Sequence, residues 1–192
     1  MGRRRKNRSK KPGLSLKTRF LVWFWAWWPV FLFGMKFGAC LALYYALFST
    51  PFFEPAVFLP YLEANARLAN AILQGLGQHT QVSDVTIQSP QFVMAIRRGC
   101  DAVEPTWLLC ATMGSFPAPF LHKLKGMLAG IVILQILNLV RIVTLYWIGI
   151  HLPGFFDSAH MKVWPTAFIV VAIVLFVVWK ESSQRPESHV AD

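Results

Sequence analysis

The chain has 192 residues, of which 55% are hydrophobic and 15% aromatic, and a formal net charge of +10 at pH 7. Its mean hydropathy of +0.46 excludes an ordinary soluble domain of this length. Nine of the nineteen Lys and Arg residues lie between Arg3 and Arg19, directly ahead of the first apolar run. A basic segment next to an apolar run is typical of a topogenic signal that binds anionic lipid, so nucleic acid is not an expected partner.

The predicted elements begin with a basic cytosolic tail over residues 1–19. One membrane-embedded domain follows over residues 20–180, and a second cytosolic tail covers residues 181–192. The four predicted transmembrane helices cover about 29–48, 102–117, 126–150 and 163–179. Pro29 is predicted to open the first of them. The span at 102–117 is short, about 24 Å at 1.5 Å per residue, against a hydrocarbon core of about 30 Å.

Between the first two spans the hydrophobic period changes. Tyr61 to Leu76 repeats apolar residues at helical spacing but is too polar to cross a bilayer, so it is predicted to lie on the outer surface as an amphipathic helix. Within residues 81–96, polarity alternates over 85–88 and side-chain size and character over 92–96, with Ser89-Pro90-Gln91 between the two runs, which predicts a short hairpin or extended pair. The predicted fold class is therefore an all-α integral membrane protein with four transmembrane helices, an amphipathic helix and a short extended segment.

The charges of the predicted loops agree on one orientation. The basic head, the lysine-containing loop before the third span and the basic tail all fall on one side, as the positive-inside rule requires of cytosolic segments. Both termini are therefore predicted to be cytosolic. Cys100 and His160 are predicted at the outer face, and Arg141 on a helix that approaches that face.

Arg141 is the first candidate for chemistry, because a charge inside an apolar helix costs roughly 2.5 to 3.5 kcal/mol. Asn138 precedes it by three residues, on the same helix face, and is predicted to support the site. A polar pair within a Leu, Ile and Val helix favours a functional role. The alternative is an arginine that snorkels outward to lipid phosphate.

Cys100 is the second candidate, because it precedes a predicted helix start and follows two arginines. Arg98 and the helix N-terminus favour the thiolate, whereas Asp101 and Glu104 oppose it. Arg98 and Glu104 are predicted to support the site or to bind substrate. A buried packing role is the alternative for any free cysteine, and it is the expected one for Cys40 and Cys110.

His160 is the third candidate, because it lies just before the last span and on the same predicted side as Cys100. His151, in the same loop, is its competitor. A metal or haem site formed by these histidines and Cys100 is not expected, because their spacing matches no known ligand pattern.

These residues occur in three motifs that resemble the exosortase and archaeosortase family, most like its exosortase H branch. The motifs are RRGCDAVEPTWLLCATMGSFPAP, LQILNLVRIVTLYWIG and FFDSAHMKVWPTAF. They lie within residues 92–179, and the N-terminal half resembles the family only in layout. Many family members have Ser or Ala and then Gly after the cysteine, where this chain has Asp101 and Ala102.

The resemblance implies a membrane cysteine transpeptidase in which Cys100, Arg141 and His160 are catalytic. It would act at the periplasmic face of the bacterial inner membrane on exported proteins that end in a short motif, an apolar helix and a basic cluster. The expected partners are these proteins, membrane lipid and an unidentified acceptor, and no cofactor or metal is expected. The alternative function is a non-enzymatic membrane subunit of an envelope export or polysaccharide assembly system.

Overall fold

The computed structural model describes the backbone of residues 16–184 and the side chains of residues 22–183. The helices are α1 (Leu16–Phe48), α2 (Leu59–Gly75), α3 (Val103–Ser115), α4 (Phe120–His151), α5 (Phe156–Ser158) and α6 (Trp164–Gln184). The strands are β1 (Gln81–Ser83), β2 (Thr86–Gln88) and β3 (Val93–Ala95). The two predicted tails lie outside the described residues, except that α1 already begins at Leu16 and α6 continues to Gln184.

Within the described residues, three helical segments are long and apolar enough to cross a membrane, instead of the four predicted. They are Val22–Phe48, Phe120–His151 and Pro153–Ser183. In place of the predicted span at 102–117, α3 has only 13 residues and measures about 20 Å. It cannot be longer because Ala102 has a φ of +58° and Phe116 is extended before Pro117. The all-helical membrane fold itself is confirmed.

Three further boundaries differ from the prediction. Pro29 lies inside α1 instead of opening the span, which apolar helices tolerate. α4 begins at Phe120, directly after Pro119, so Lys123 lies on the helix and not in a loop. His160 lies in a π-helical turn, Ala159–Val163, that continues into α6.

α3 lies at the centre of the helical bundle, because it packs against α1, α4 and α6. Leu109 of α3 is buried together with Leu134 of α4 and Phe168 of α6. The indole of Trp107 donates a hydrogen bond of 2.9 Å to the carbonyl oxygen of Cys40 in α1. Long helices therefore cover the short helix on three sides, which removes the need for it to match the bilayer thickness alone.

α2 and the strands form a layer over one end of the bundle, which we call the sheet end. The buried face of α2 includes Leu62, Ala66 and Leu73, and it packs with Ile142 and Tyr146 of α4. The strands form one antiparallel sheet in the order β1-β2-β3. A helix and an extended segment are thus present in the predicted ranges, and the turn between β1 and β2 adds a second hairpin; the location of α2 on the outer membrane surface stays a prediction.

Gly149 of α4 lies so close to the ring of Phe92 that a Cβ atom there would overlap it. The ring has little freedom to move, because it packs edge-on against Tyr146 at 6.1 Å and Phe156 at 5.7 Å. We expect Gly149→Ala to lower the free energy of unfolding by about 1–3 kcal/mol, as measured by thermal unfolding in detergent. Gly34→Ala is the control, because no atom lies within 4 Å of that Cβ position. Equal destabilisation by both substitutions would contradict the close packing.

Candidate active site

Cys100 lies in a tight loop between β3 and α3. Gly99, with a φ of +90°, and Ala102, with a φ of +58°, adopt left-handed conformations on either side of it. Glycine adopts such a φ freely, whereas alanine does so at a cost of about 1 kcal/mol. The Cys100 amide donates to the Arg97 carbonyl at 2.9 Å. The loop therefore holds the cysteine just outside the first turn of α3.

Asp101 stabilises this loop from within. Its two carboxylate oxygens accept hydrogen bonds from the amides of Gly99 at 2.9 Å and Val103 at 2.8 Å. The residue is only 3% exposed, and Val103 is the first residue of α3. A carboxylate is favourable at a helix N-terminus. Asp101, which departs from the Ser or Ala of the resembled motif, thus has a structural role in this chain.

The structure brings the three predicted catalytic side chains into contact. Sγ of Cys100 lies 2.7 Å from Nε2 of His160. The guanidinium of Arg141 donates to the Gly99 carbonyl at 2.9 Å and to Sγ of Cys100 at 3.5 Å. Arg141 is only 4% exposed, so these acceptors replace water around its charge. The catalytic role of the three residues stays a prediction.

His160 reaches the thiol because the chain is irregular between α4 and α6. A 3₁₀ turn, α5 and the π-helical turn Ala159–Val163 follow one another there. A π-helical turn interrupts the regular helical spacing, and such turns are frequent at functional sites. The competitor, His151, instead stacks on Trp147 with ring centres 5.3 Å apart and lines a different cavity. The geometry therefore favours His160 over His151.

The three side chains open into one cavity of about 460 Å³, which we call the thiol cavity. Its walls come from the β3 segment, from α4 and from the chain between α4 and α6. Besides Cys100, Arg141 and His160 they comprise residues 92–97, Ile142, Leu145, Gly149, Pro153, Phe156 and Asp157. This volume is in the range of pockets that bind small ligands or short peptide segments.

Burial raises the pKa of the Cys100 thiol above its ordinary value. The positive charge of Arg141 lowers this pKa, and the carboxylate of Asp101 raises it, but burial has the largest effect. The arginines near Cys100 therefore do not produce a resting thiolate. At neutral pH the thiol carries its proton, and Nε2 of His160 is close enough to accept it.

A buried polar network connects α2 to α4 and to the loop between β3 and α3 that carries Cys100, which we call the cysteine loop. The Tyr61 hydroxyl donates to the carbonyl oxygen of Asp101 at 2.5 Å and lies 2.8 Å from Oε1 of Gln135. Burial raises the pKa of Tyr61 to about 12, so this hydroxyl keeps its proton. The side-chain amides of Gln135 and Asn138 both donate to Oδ1 of Asn65. Asn138, predicted as a supporting residue, thus binds to α2 and not to the thiol.

The other two predicted supporting residues lie on the far side of the cysteine loop. Arg98 and Glu104 line a second cavity of about 720 Å³, to which Cys100 and His160 do not contribute. The Arg98 guanidinium lies 4.6 Å from the ring centre of Phe48, which is a cation–π arrangement. Arg98 and Glu104 therefore do not line the thiol cavity, whereas Arg141 lines both cavities.

Sequence reasoning did not find Tyr61 and Asn65. A signal for Asn65 was present, because it follows Leu62 by three positions and precedes Ala66, both of which lie on the buried stripe of α2. A polar residue on such a stripe requires a buried partner. Among the described side chains, no cluster of three or more His, Cys, Asp or Glu residues could hold a metal ion.

The apolar helices and the thiol cavity define a multi-pass membrane protein in which a cysteine, a histidine and an arginine meet at one end of the bundle. The chain belongs to the transmembrane exosortase family (Exosortase_EpsH), whose family model matches residues 12–177. The match includes the N-terminal half as well as the three motifs, and it confirms the family resemblance. No significant match was found among curated proteins or solved structures.

Arg141 should control the reactivity of Cys100, because its charge lowers the thiol pKa. We expect Arg141→Gln to raise this pKa further and to move the alkylation of Cys100 by iodoacetamide to higher pH, since only the thiolate reacts. Arg141→Lys keeps the charge and should have a smaller effect. The measurement is the pH dependence of the alkylation rate, with the site mapped by mass spectrometry. An unchanged profile in Arg141→Gln would contradict the proposed coupling.

Tyr61 should stabilise the cysteine loop through its hydroxyl. Tyr61→Phe leaves the Asp101 carbonyl without this donor, and we expect it to lower the free energy of unfolding by about 1–2 kcal/mol. Thermal unfolding in detergent measures the change. Tyr45→Phe is the matched control, because Tyr45 is 61% exposed on α1. If both variants unfolded at the same temperature, the network would have no measurable role.

Proposed function

We propose that the chain is a membrane cysteine transpeptidase that cleaves the C-terminal sorting signals of exported proteins and transfers the product to an acceptor. The observation that carries this proposal is the contact of 2.7 Å between Sγ of Cys100 and Nε2 of His160, with Arg141 beside the sulfur. Membership of the exosortase family supports a cysteine peptidase-like enzyme.

The first step is attack of the Cys100 sulfur on the carbonyl carbon of the scissile peptide bond. The thiol proton passes to Nε2 of His160, which overcomes the unfavourable pKa of the buried thiol. The carbonyl oxygen becomes an oxyanion, and the guanidinium of Arg141 donates to it. Arg141 already donates to the Gly99 carbonyl at 2.9 Å, so the guanidinium is held in place before substrate arrives.

In the second step the tetrahedral intermediate collapses to a thioester on Cys100, and the C–N bond breaks. The imidazolium of His160 gives its proton to the departing amine, which leaves with the apolar sorting helix. An acceptor amine, or water, then attacks the thioester and transfers a proton to His160. The thiol is regenerated when His160 returns that proton to sulfur.

We place the thiol cavity at the periplasmic face of the bacterial inner membrane, with both termini in the cytosol. α1 ends at the sheet end, where Phe48 packs against Phe58, so its start lies at the other end of the bundle. α6 ends near the start of α4, where Trp179 and His122 exchange hydrogen bonds of 3.1 Å. α3 also runs between the two ends, because Gly114 near its C-terminus accepts a hydrogen bond of 2.9 Å from Lys123 at the start of α4. Both described chain ends therefore lie opposite the sheet end, in agreement with the basic segments on one side.

The decisive test is co-expression with an exported protein that carries a motif, an apolar helix and a basic cluster at its C-terminus. We expect Cys100→Ala and His160→Ala each to lower processing by about a thousandfold or more, because the two groups act in one proton-transfer step. Mass spectrometry of the mature C-terminus measures processing.

Cys110→Ala is the control, because Cys110 lies on α3 outside the thiol cavity. It should retain processing. Continued cleavage by Cys100→Ala would remove the proposed chemistry and would favour a non-enzymatic membrane subunit of an export or assembly system.

A further inference from the structure

β3 is an edge strand, and its residues line the thiol cavity. The sheet order β1-β2-β3 leaves β3 paired with β2 only. Every residue from Phe92 to Arg97 lines the cavity that also holds Cys100 and His160. An unpaired strand edge thus lies in the same cavity as the candidate nucleophile.

The hydrogen bonds between β2 and β3 show which N–H and C=O groups of β3 point away from β2. Phe92 accepts from the Ser89 amide at 2.9 Å, and Ile96 donates to the Val85 carbonyl at 2.9 Å. In an antiparallel pair every second residue directs its N–H and C=O toward the partner strand, so Met94 also faces β2. Val93 and Ala95 therefore direct theirs away from β2, and no partner for these groups occurs within the described part of the chain.

We propose that the peptide substrate binds by strand addition, as a fourth strand on the edge formed by Val93 and Ala95. This inference rests on the proposed function and adds how the substrate is held. Amides and carbonyls of an extended peptide would pair with the N–H and C=O groups of these two residues, a mode that gives affinity independently of side chains. The scissile bond would then be held beside Cys100.

The geometry of the cavity supports an extended occupant. β3 supplies one part of its wall, and Ile142 and Leu145 of α4 and Pro153, Phe156 and His160 supply other parts. An edge strand that remains open is normally protected, because it invites pairing with another chain. Here the edge strand lines a cavity of about 460 Å³, which has room for a short peptide segment and not for a second sheet.

The first experiment removes one edge donor without removing a sheet hydrogen bond. Ala95→Pro eliminates an N–H that faces the cavity, and proline is tolerated on the open side of an edge strand. Val82→Pro is the matched control. Val82 lies opposite Ile87, and the N–H and C=O groups of Ile87 point toward β3 and not toward β1. The N–H of Val82 therefore points outward from the other edge of the sheet. That edge does not line the thiol cavity.

The probe is acetyl-tetraalanine chloromethyl ketone, which presents a peptide backbone with minimal side chains to Cys100. We expect Ala95→Pro to slow its reaction with Cys100 by about three- to tenfold, as expected for one lost hydrogen bond. The rate with iodoacetamide, which has no peptide backbone, should not change. Val82→Pro should alter neither rate. An unchanged peptide rate in Ala95→Pro, in the full-length protein in detergent, would overturn strand addition.

A second measurement covers the case in which Ala95→Pro also changes the iodoacetamide rate. Two further probes are versions of the same chloromethyl ketone, each N-methylated at one of two adjacent alanines. Their reaction rates are measured with the unsubstituted protein. Successive amides of a strand point in opposite directions, so only one of the two probes should react about three- to tenfold more slowly. Equal rates for the two would overturn the proposal.

These results are distinguishable from a failure of the proposed function. If Cys100→Ala still processed tailed proteins, the transpeptidase proposal would be wrong whatever the probes showed. If Ala95→Pro and N-methylation left the probe rates unchanged while Cys100→Ala abolished processing, only strand addition would be wrong.

Discussion

The site depends on the burial of one positive charge within an apolar helix. A buried charge is unfavourable unless hydrogen-bond acceptors replace its water, and Arg141 finds them in the Gly99 carbonyl and the Cys100 sulfur. The loop can present both acceptors only because Gly99 and Ala102 adopt positive φ and Asp101 caps the turn. Within the described residues, Nε of Arg141 still has no hydrogen-bond partner. The conformation of this loop therefore stabilises the buried charge of Arg141, and the hydrogen bonds from Arg141 stabilise the loop.

The sequence predicted the fold class because a bilayer restricts both the length and the composition of the helices that cross it. It did not predict where helices stop, since tertiary packing decides this. α3 can be short because three neighbouring helices cover it, and α1 continues through Pro29. Strands of three residues, such as β1, are too short for a clear alternation of polarity. The hairpin around Ser89-Pro90-Gln91 could be predicted because turn residues separate two alternating runs.

The three candidate catalytic residues could be predicted from the sequence, but the residues that hold them in place could not. Arg141 is conspicuous in an apolar helix, and Cys100 and His160 fall on one predicted side of the membrane. The contact between Tyr61 and the Asp101 carbonyl joins residues 40 positions apart, and no local pattern encodes it. The direction of the Cys100 pKa shift was also inaccessible, because neighbouring charges are visible in a sequence whereas burial is not.

The protonated state of Cys100 also bears on its survival among oxidants. Peroxides and disulfides react with thiolates and hardly at all with protonated thiols. Oxidation to a sulfenic acid is reversible when a second cysteine lies close enough to form a disulfide. All three cysteines here are free, and Cys110 lies seven residues beyond the first residue of α3, about 10 Å along the helix from Val103. The burial that slows the reaction of the resting thiol with electrophiles should therefore also slow its oxidation.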